Sequence, residues 1–179
     1  MIRLQPRFRA LAFAAGVLLV LVVQRSSAAP QSAVAADLRA ALEGTWQLDE
    51  WHTDGKVLKP PQADGRWSLH DGVVIFTVNR ADSAESSIGY GEYKMDGRTW
   101  SYRYTRMQRT SGSPSGPVTM TVTPQPPEMR SFTIARGPGG KVTLESPDAQ
   151  HEYEGPFFTL RQKGQIVRKW RRVPAAPAH

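Results

Sequence analysis

Two glutamates have the side-chain type and the sequence position that acid–base chemistry would require. Glu50 and Glu92 each stand beside aromatic residues in a segment with strand character, and a dry aromatic pocket is where a carboxylate could act as an acid or a base. Most carboxylates on strands are solvated, so we keep both as candidates and assign no catalytic residue. The chain has no Gly-x-Ser-x-Gly elbow and no glycine-rich phosphate loop before a helix.

The four histidines do not suggest a metal site. They lie on separate segments and lack ligand spacing: His52, His70, His151 and His179. The chain also contains no cysteine, which removes the commonest ligand of structural zinc. We therefore expect surface or rim histidines, no metal and no cofactor.

Aromatic residues form the more informative set. Trp100, Tyr102 and Tyr104 alternate with polar residues, which places three amphipathic rings on one face of a strand. Such rings could form an apolar cup with a few polar groups for orientation, or they could simply fill a core. The candidate ligand-binding residues are Trp67, Tyr93, Trp100, Tyr102, Tyr104 and Phe132. A loop over residues 108–117, rich in Ser, Gly and Pro, is expected to be mobile and to lie at the mouth of the cup.

The first 28 residues have the pattern of a secretory leader. Three arginines precede an uninterrupted apolar run over residues 10–23, and small residues follow. The run is shorter than the roughly 20 residues of a spanning helix, although an uncleaved anchor is the alternative. Cleavage is expected after Ala28 or, as a second option, after Ala36. The protein is thus expected to be exported: periplasmic in a Gram-negative host, otherwise secreted, and without stable membrane insertion once the leader is removed.

Charge argues against a nucleic-acid partner. The whole chain has 23 basic and 16 acidic residues, hence +7. Four of the basic residues and none of the acidic ones lie in the leader, so the mature chain carries only +3. That balance is ordinary for a soluble protein surface. The sequence predicts no oligomeric state.

After a short linker and helix over residues 29–41, the chain reads as strand after strand. Alternating apolar positions separated by turn residues predict these strands: 45–53, 66–70, 73–80, 88–94, 99–107, 118–123, 130–135, 141–146, 157–163 and 165–173. Short turns between sequential strands favour a meander that closes into a single up-and-down antiparallel β-barrel. A two-sheet sandwich is the alternative, with crossing connections near residues 81–86, 108–117 and 147–155.

Both ends of this strand region resemble one family. The segment Leu-Glu-Gly-Thr-Trp-Gln-Leu over residues 42–48 resembles the opening of lipocalins and of bacterial lipocalin-like domains. Trp-Arg-Arg-Val at 170–173 resembles their last strand, and Gly91-Glu92-Tyr93 before the turn at Asp96-Gly97 is similar to their middle segment. The resemblance implies a barrel of about eight strands. This chain lacks the disulfide and the long helix of secreted animal lipocalins, which points toward the simpler bacterial lipocalin-like domains. For those domains the resemblance implies no common ligand.

The same resemblance assigns a closing role to the two ends. Trp46 would seal one end of the barrel, with Gly44 allowing the sharp entry into the strand. An arginine of the last strand lies over this Trp ring in lipocalins. Arg172 shares a strand face with Trp170 and is expected to take that role, with Arg171 as the second choice.

We therefore expect an all-β lipocalin-like barrel over residues 42–173, a disordered tail over 174–179, and a small apolar or amphipathic ligand inside the barrel. Two other classes stay open: a structural or interaction protein of the cell envelope with a filled barrel, and a small enzyme such as an isomerase or hydrolase. The enzyme would need Glu50 or Glu92 buried and facing the cavity.

Overall fold

The computed structural model of the protein describes residues 36–113 and 115–175. The predicted leader, its cleavage after Ala28 and residues 176–179 of the predicted tail lie outside these ranges, and the exported location stays a prediction. No helix in the described ranges is long and apolar enough to cross a membrane.

Within the described residues, a short helix over residues 36–42 precedes twelve strands. Their bounds are β1 Gly44–Thr53, β2 Lys56–Leu58, β3 Ala63–His70, β4 Val73–Arg80, β5 Ser86–Asp96, β6 Thr99–Gly112, β7 Val118–Thr123, β8 Arg130–Arg136, β9 Val142–Glu145, β10 Ala149–Glu154, β11 Phe157–Gln162 and β12 Gln165–Arg172. A 3₁₀ turn, Pro138–Gly140, lies between β8 and β9.

Ten of these strands form a closed antiparallel ring. Its order is β1-β3-β4-β5-β6-β8-β9-β10-β11-β12, and β12 pairs with β1 to close it. The short β2 pairs with β1, and β7 pairs with β6 outside the ring. The predicted all-β closed barrel is thus confirmed, and the sandwich alternative is wrong. The ring has ten strands rather than the eight that the resemblance implied.

The strand that sequence analysis missed is β10. We expected a connecting loop over residues 147–155, but Ala149–Glu154 pairs with both β9 and β11. Ala149, His151 and Tyr153 are buried, whereas the residues between them face outward. Two glutamates on the outer face made the segment resemble a polar loop, although its alternation has the period of a strand.

The predicted long loop over residues 108–117 is also wrong. Strand β6 continues through Gly112 and pairs with β7 from Met107↔Thr123 to Gly112↔Val118. Gly112 has φ 153°, and an added Cβ there would meet the Pro117 carbonyl. The polar residues of this segment therefore belong largely to a hairpin outside the ring, in which β6 ends at Gly112 and β7 begins at Val118.

Tight turns are present at two Asp-Gly pairs that lie between strands. Asp54 and Gly55 have φ values of 50° and 70°, and Asp71 and Gly72 have 48° and 82°. Two consecutive positive φ angles match the twist of hairpin strands. These turns join β1 to β2 and β3 to β4.

A bulge in β1 changes which of its side chains face the core. The pairing with β12 shifts between Leu48 and Glu50, so Asp49 is the extra residue. As a result Trp51 is buried on the same side as Trp46 and Leu48. Without the bulge, strict alternation would place Glu50 on the side of Trp46 and Trp51 on the opposite face.

Aromatic rings fill much of the barrel. At one end, here called the base, Trp46 packs edge-on against Tyr153 and Phe158, at centroid distances of 5.4 and 6.0 Å. The next layer of buried rings comprises Trp67, Trp100, Tyr102, Phe132, His151 and Trp170. Burying a large apolar side chain stabilises a fold by about 1.5–3 kcal/mol, so these layers form the principal core.

Candidate functional site

The base is closed by Trp46 and Arg172. Trp46 is 1 % exposed and pairs directly with Arg172 across β1 and β12. The Arg172 guanidinium carbon lies 4.7 Å from the Trp46 ring centroid, the position that the resemblance assigned to it. Arg172 also donates hydrogen bonds to the carbonyl oxygens of Ala40, Ala41 and Glu43. It therefore ties the last strand to the end of the helix.

Gly44 fits this closure because it lies against the same guanidinium. Its φ of 141° disfavours any residue with a Cβ, and an added Cβ would lie 3.4 Å from Arg172 Nη2. Trp170, the other residue of the predicted closure, is 1 % exposed and lies one layer deeper, stacked parallel to Phe158 at 6.3 Å. Its ring belongs to the wall of the interior rather than to the base.

Three of the six predicted ligand-binding residues lie in packed regions. Tyr93 donates a 2.6 Å hydrogen bond to Glu43 near the base, and burial together with this carboxylate raises the pKa of Tyr93 to about 12. Trp100 is fully buried and contacts Phe132 at a centroid distance of 5.3 Å. None of these three rings, Tyr93, Trp100 and Phe132, lines the open space described next.

The other three, Trp67, Tyr102 and Tyr104, line an open space of about 200 Å³ inside the barrel, here called the inner cavity. The remaining lining residues are Phe76, Ser87, Met107, Arg109, Arg130, Ala149, His151, Leu160, Gln162, Arg168 and Trp170. Burial raises the pKa values of Tyr102 and Tyr104, so both hydroxyls stay protonated and can donate a hydrogen bond. The lining thus combines five Trp, Tyr and Phe rings with polar groups that include three arginines, and small-molecule sites likewise combine apolar walls with polar groups that orient the ligand.

A wider space of about 620 Å³, here called the mouth, lies toward the β6–β7 hairpin. Ser87, Arg109 and Arg168 line both spaces, so the mouth leads into the inner cavity. The remaining residues of the mouth are Trp51, Arg80, Ser83, Glu85, Thr110, Ser111, Gly112, Thr121 and Thr123. Three arginines and one glutamate give this entrance a positive balance.

A bulge in β6 and a glycine in β5 position Tyr104. The β5–β6 register shifts between Tyr90 and Gly91, which leaves Thr105 as the extra residue. The Tyr104 ring then lies on Gly89, where an added Cβ would be only 2.8 Å from the ring. After the bulge, Met107 and Arg109 face the interior instead of Arg106.

Arg168 and Arg109 are functional candidates that sequence analysis missed. Arg168 continues the alternation of Trp170 and Arg172, so the period of β12 could have shown that it faces the interior. The alternation of β6 does not predict an inward Arg109, because the bulge at Thr105 precedes it and exchanges the inward and outward faces of the strand.

His151 is buried, contrary to the surface or rim position expected for it. It is 2 % exposed, and the nearest rings are Phe132 at 4.9 Å and Phe158 at 5.4 Å between centroids. Burial, with a smaller contribution from nearby Arg130, lowers the pKa of His151 to about 3. The ring is therefore neutral at physiological pH and acts as part of the core.

Glu50 and Glu92 both lie on the outer face. Glu50 is paired with Lys169 at 3.0 Å, with His52 at 2.9 Å and with Lys59 at 3.3 Å. These partners, His52 first, lower the pKa of Glu50 to about 2. Glu92 pairs with Arg103, which alternates with the inward Tyr102 and Tyr104. The condition set for a carboxylate-based enzyme is not met by either residue.

The described residues contain no group of three His, Asp or Glu side chains able to hold a metal ion. Comparisons of the chain with protein-family models, with curated proteins and with solved structures found no match. The fold shown is therefore a closed ten-stranded antiparallel barrel, and any function has to be argued from the interior itself.

Proposed function

We propose that the protein is an exported lipocalin-like barrel that binds a small apolar or amphipathic molecule in the inner cavity. The observation that carries the proposal is the unfilled space of about 200 Å³ between Trp67, Phe76, Tyr102 and Tyr104, open toward the mouth. Protein interiors are otherwise packed closely, with few voids larger than a water molecule.

The distribution of side chains along the barrel supports this proposal. Below the cavity, Trp100, Phe132 and Phe158 are at most 1 % exposed and fill the interior. Above it, the lining changes to hydroxyl groups and arginines. A ligand with an apolar body and a polar end would match this gradient, because each part would meet groups of its own polarity.

Narrowing the passage between the two spaces tests the proposal. Ser87→Phe should weaken binding of phenylacetate and of phenylacetamide at least about tenfold, since the added ring occupies the neck that both probes must pass. Binding is followed by tryptophan fluorescence, because Trp67 and Trp170 line the cavity.

Ile88→Phe is the matched control, because Ile88 is the next residue of β5 and is exposed on the outer face. It should leave both affinities unchanged. If Ser87→Phe and Ile88→Phe bound the probes equally well, the probes would lie outside the inner cavity. If the unmodified protein bound neither phenylacetate nor phenylacetamide, the proposal would be wrong.

An envelope protein that acts through its outer surface is the second candidate, and the β6–β7 hairpin favours it. Val118, Met120 and Val122 alternate along β7 and are all exposed. Exposed apolar rows of this kind occur at interaction sites. This candidate requires no small-molecule binding. Titrating the unmodified protein with the two probes therefore distinguishes the candidates, because only the first predicts binding.

A further inference from the structure

We propose that Arg168 receives the charged group of the ligand, and that the ligand is a small apolar carboxylic acid bound as its carboxylate. This inference rests on the proposed binding function and adds the chemical class of the molecule.

Arg168 is held inside the barrel between aromatic rings. Its guanidinium carbon lies 4.9 Å from the Trp51 ring centroid and 5.2 Å from that of Phe76. These contacts fix the plane of the guanidinium, and both rings interact favourably with a cation. The group is therefore positioned before any ligand arrives.

Its hydrogen-bonding capacity is unused within the described residues. Arg168 Nε is buried without a partner, and no carboxylate there lies within 4.0 Å of the guanidinium. Other arginines are paired: Arg80 with Asp82 at 3.0 Å, Arg130 with Asp148 at 3.2 Å and Arg171 with Asp49 at 3.1 Å. Arg168 thus differs from these arginines in being both enclosed and unpaired.

The charged and titratable groups that face Arg168 leave its charge uncompensated. The Glu85 carboxylate attracts its charge and Arg109 repels it, whereas the protonated Tyr104 carries no charge that could offset it. Glu85 is already bound by Arg80 at 3.2 Å, so its carboxylate is shared. The inner cavity itself is lined by three arginines and no acidic residue.

Burial without a counter-charge is unfavourable for an arginine. Desolvation lowers the pKa of Arg168 to about 10, although the group stays charged at physiological pH. An anion bound at the guanidinium would supply the missing partner in a site from which water is partly excluded, where such pairs are strongest.

Carboxylate is the anion that fits the surrounding groups. A guanidinium presents a planar fork that matches the two oxygens of a carboxylate. Trp67 and Trp170 also line the cavity, and the indole N–H of each is buried without a partner. An indole N–H can only donate a hydrogen bond. The polar groups that lack a partner here are therefore mainly hydrogen-bond donors. A carboxylate only accepts hydrogen bonds, so it complements them.

The size of the cavity sets the apolar part of the ligand. At about 30 Å³ per water-sized group, 200 Å³ holds on the order of seven heavy atoms. A single phenyl ring or a short branched chain meets this limit. A long lipid chain does not, unless most of it stays in the mouth.

The test compares phenylacetate with phenylacetamide, which has the same shape and no charge, by tryptophan fluorescence and calorimetry. The unmodified protein should bind phenylacetate at least about tenfold more tightly than the amide, the effect of a charge-assisted hydrogen bond. Arg168→Gln should lose this preference while its affinity for the amide stays the same. Arg168→Lys, which keeps the charge without the fork, should show an intermediate preference.

Arg171→Gln, on the outer face of the same strand, is the matched control and should keep the full preference. Equal binding of both probes by the unmodified protein, or a preference that survives in Arg168→Gln, would overturn the inference and leave the proposed function standing. If neither probe bound, both the inference about Arg168 and the proposed binding function would be wrong. If Arg168→Gln does not fold, the inference is tested by the preference for phenylacetate over phenylacetamide in the unmodified protein and in Arg168→Lys, which should show a smaller preference.

Discussion

Replacing Trp46 by alanine is expected to lower the free energy of unfolding by about 3–5 kcal/mol, the range for truncating a large buried aromatic side chain. Trp46 is almost completely buried, and its ring contacts Tyr153, Phe158 and Arg172. The truncation would leave a void between these groups and remove the ring beneath the guanidinium. Urea denaturation followed by circular dichroism measures the change.

Ligand preference should survive this substitution, because Trp46 does not line the inner cavity. Tyr90→Ala provides the control, since Tyr90 is 52 % exposed, and its effect should stay within about 0.5 kcal/mol. A folded Trp46→Ala protein with unchanged stability, or with a selectively altered affinity for phenylacetate, would contradict a purely architectural role.

The second large effect is a loss of stability in mild acid that depends on His151. The pKa of His151 is lowered to about 3 in the folded protein, against about 6.5 in an unfolded chain. Below pH 6.5 the unfolded chain therefore binds a proton that the folded protein excludes, so the free energy of unfolding falls as the pH falls. Between pH 6.5 and 5 the expected loss is about 2 kcal/mol.

This window is informative because unperturbed carboxyl groups remain ionised above pH 5. His151→Leu should remove the slope between pH 6.5 and 5, whatever its effect on stability at pH 8. His70→Leu is the control, because His70 is exposed, and it should retain the slope. Urea denaturation at each pH gives the curves, and a slope that persists in His151→Leu would show that another group is responsible.

The barrel architecture could be predicted from the sequence because its turns and its alternation are local signals. Asp54-Gly55 and Asp71-Gly72 adopt the positive φ angles that such pairs favour. The strand Thr99–Gly112 was found from its ring alternation, although its end was placed too early. Strand β10 was missed because its two outward glutamates make the segment look like a polar loop, and because one of its inward residues is a histidine rather than an apolar residue.

The site was less predictable because bulges decide which residues enter the barrel. The extra residue Asp49 brings Trp51 inward and turns Glu50 outward. The extra residue Thr105 brings Arg109 to the cavity wall. Neither shift follows from side-chain periodicity, since a displacement of one residue reverses every later face. The volume left inside also depends on the number of strands in the ring, which hairpin signals do not fix.

The pairing of β1 with β12 has a consequence for how the barrel assembles. All other neighbouring strands of the ring lie close together in the sequence. The β1–β12 pair, by contrast, is joined by the hydrogen bond from Arg171 to Asp49, whose positions are 122 residues apart. Local pairs form before such distant ones, because closing a long loop costs entropy that only the completed contacts repay. An incompletely folded chain is therefore an open sheet with two free edges and with Trp46 and Trp170 uncovered. Closing this seam removes both edges at once, and with them the surfaces on which two unfinished chains would aggregate.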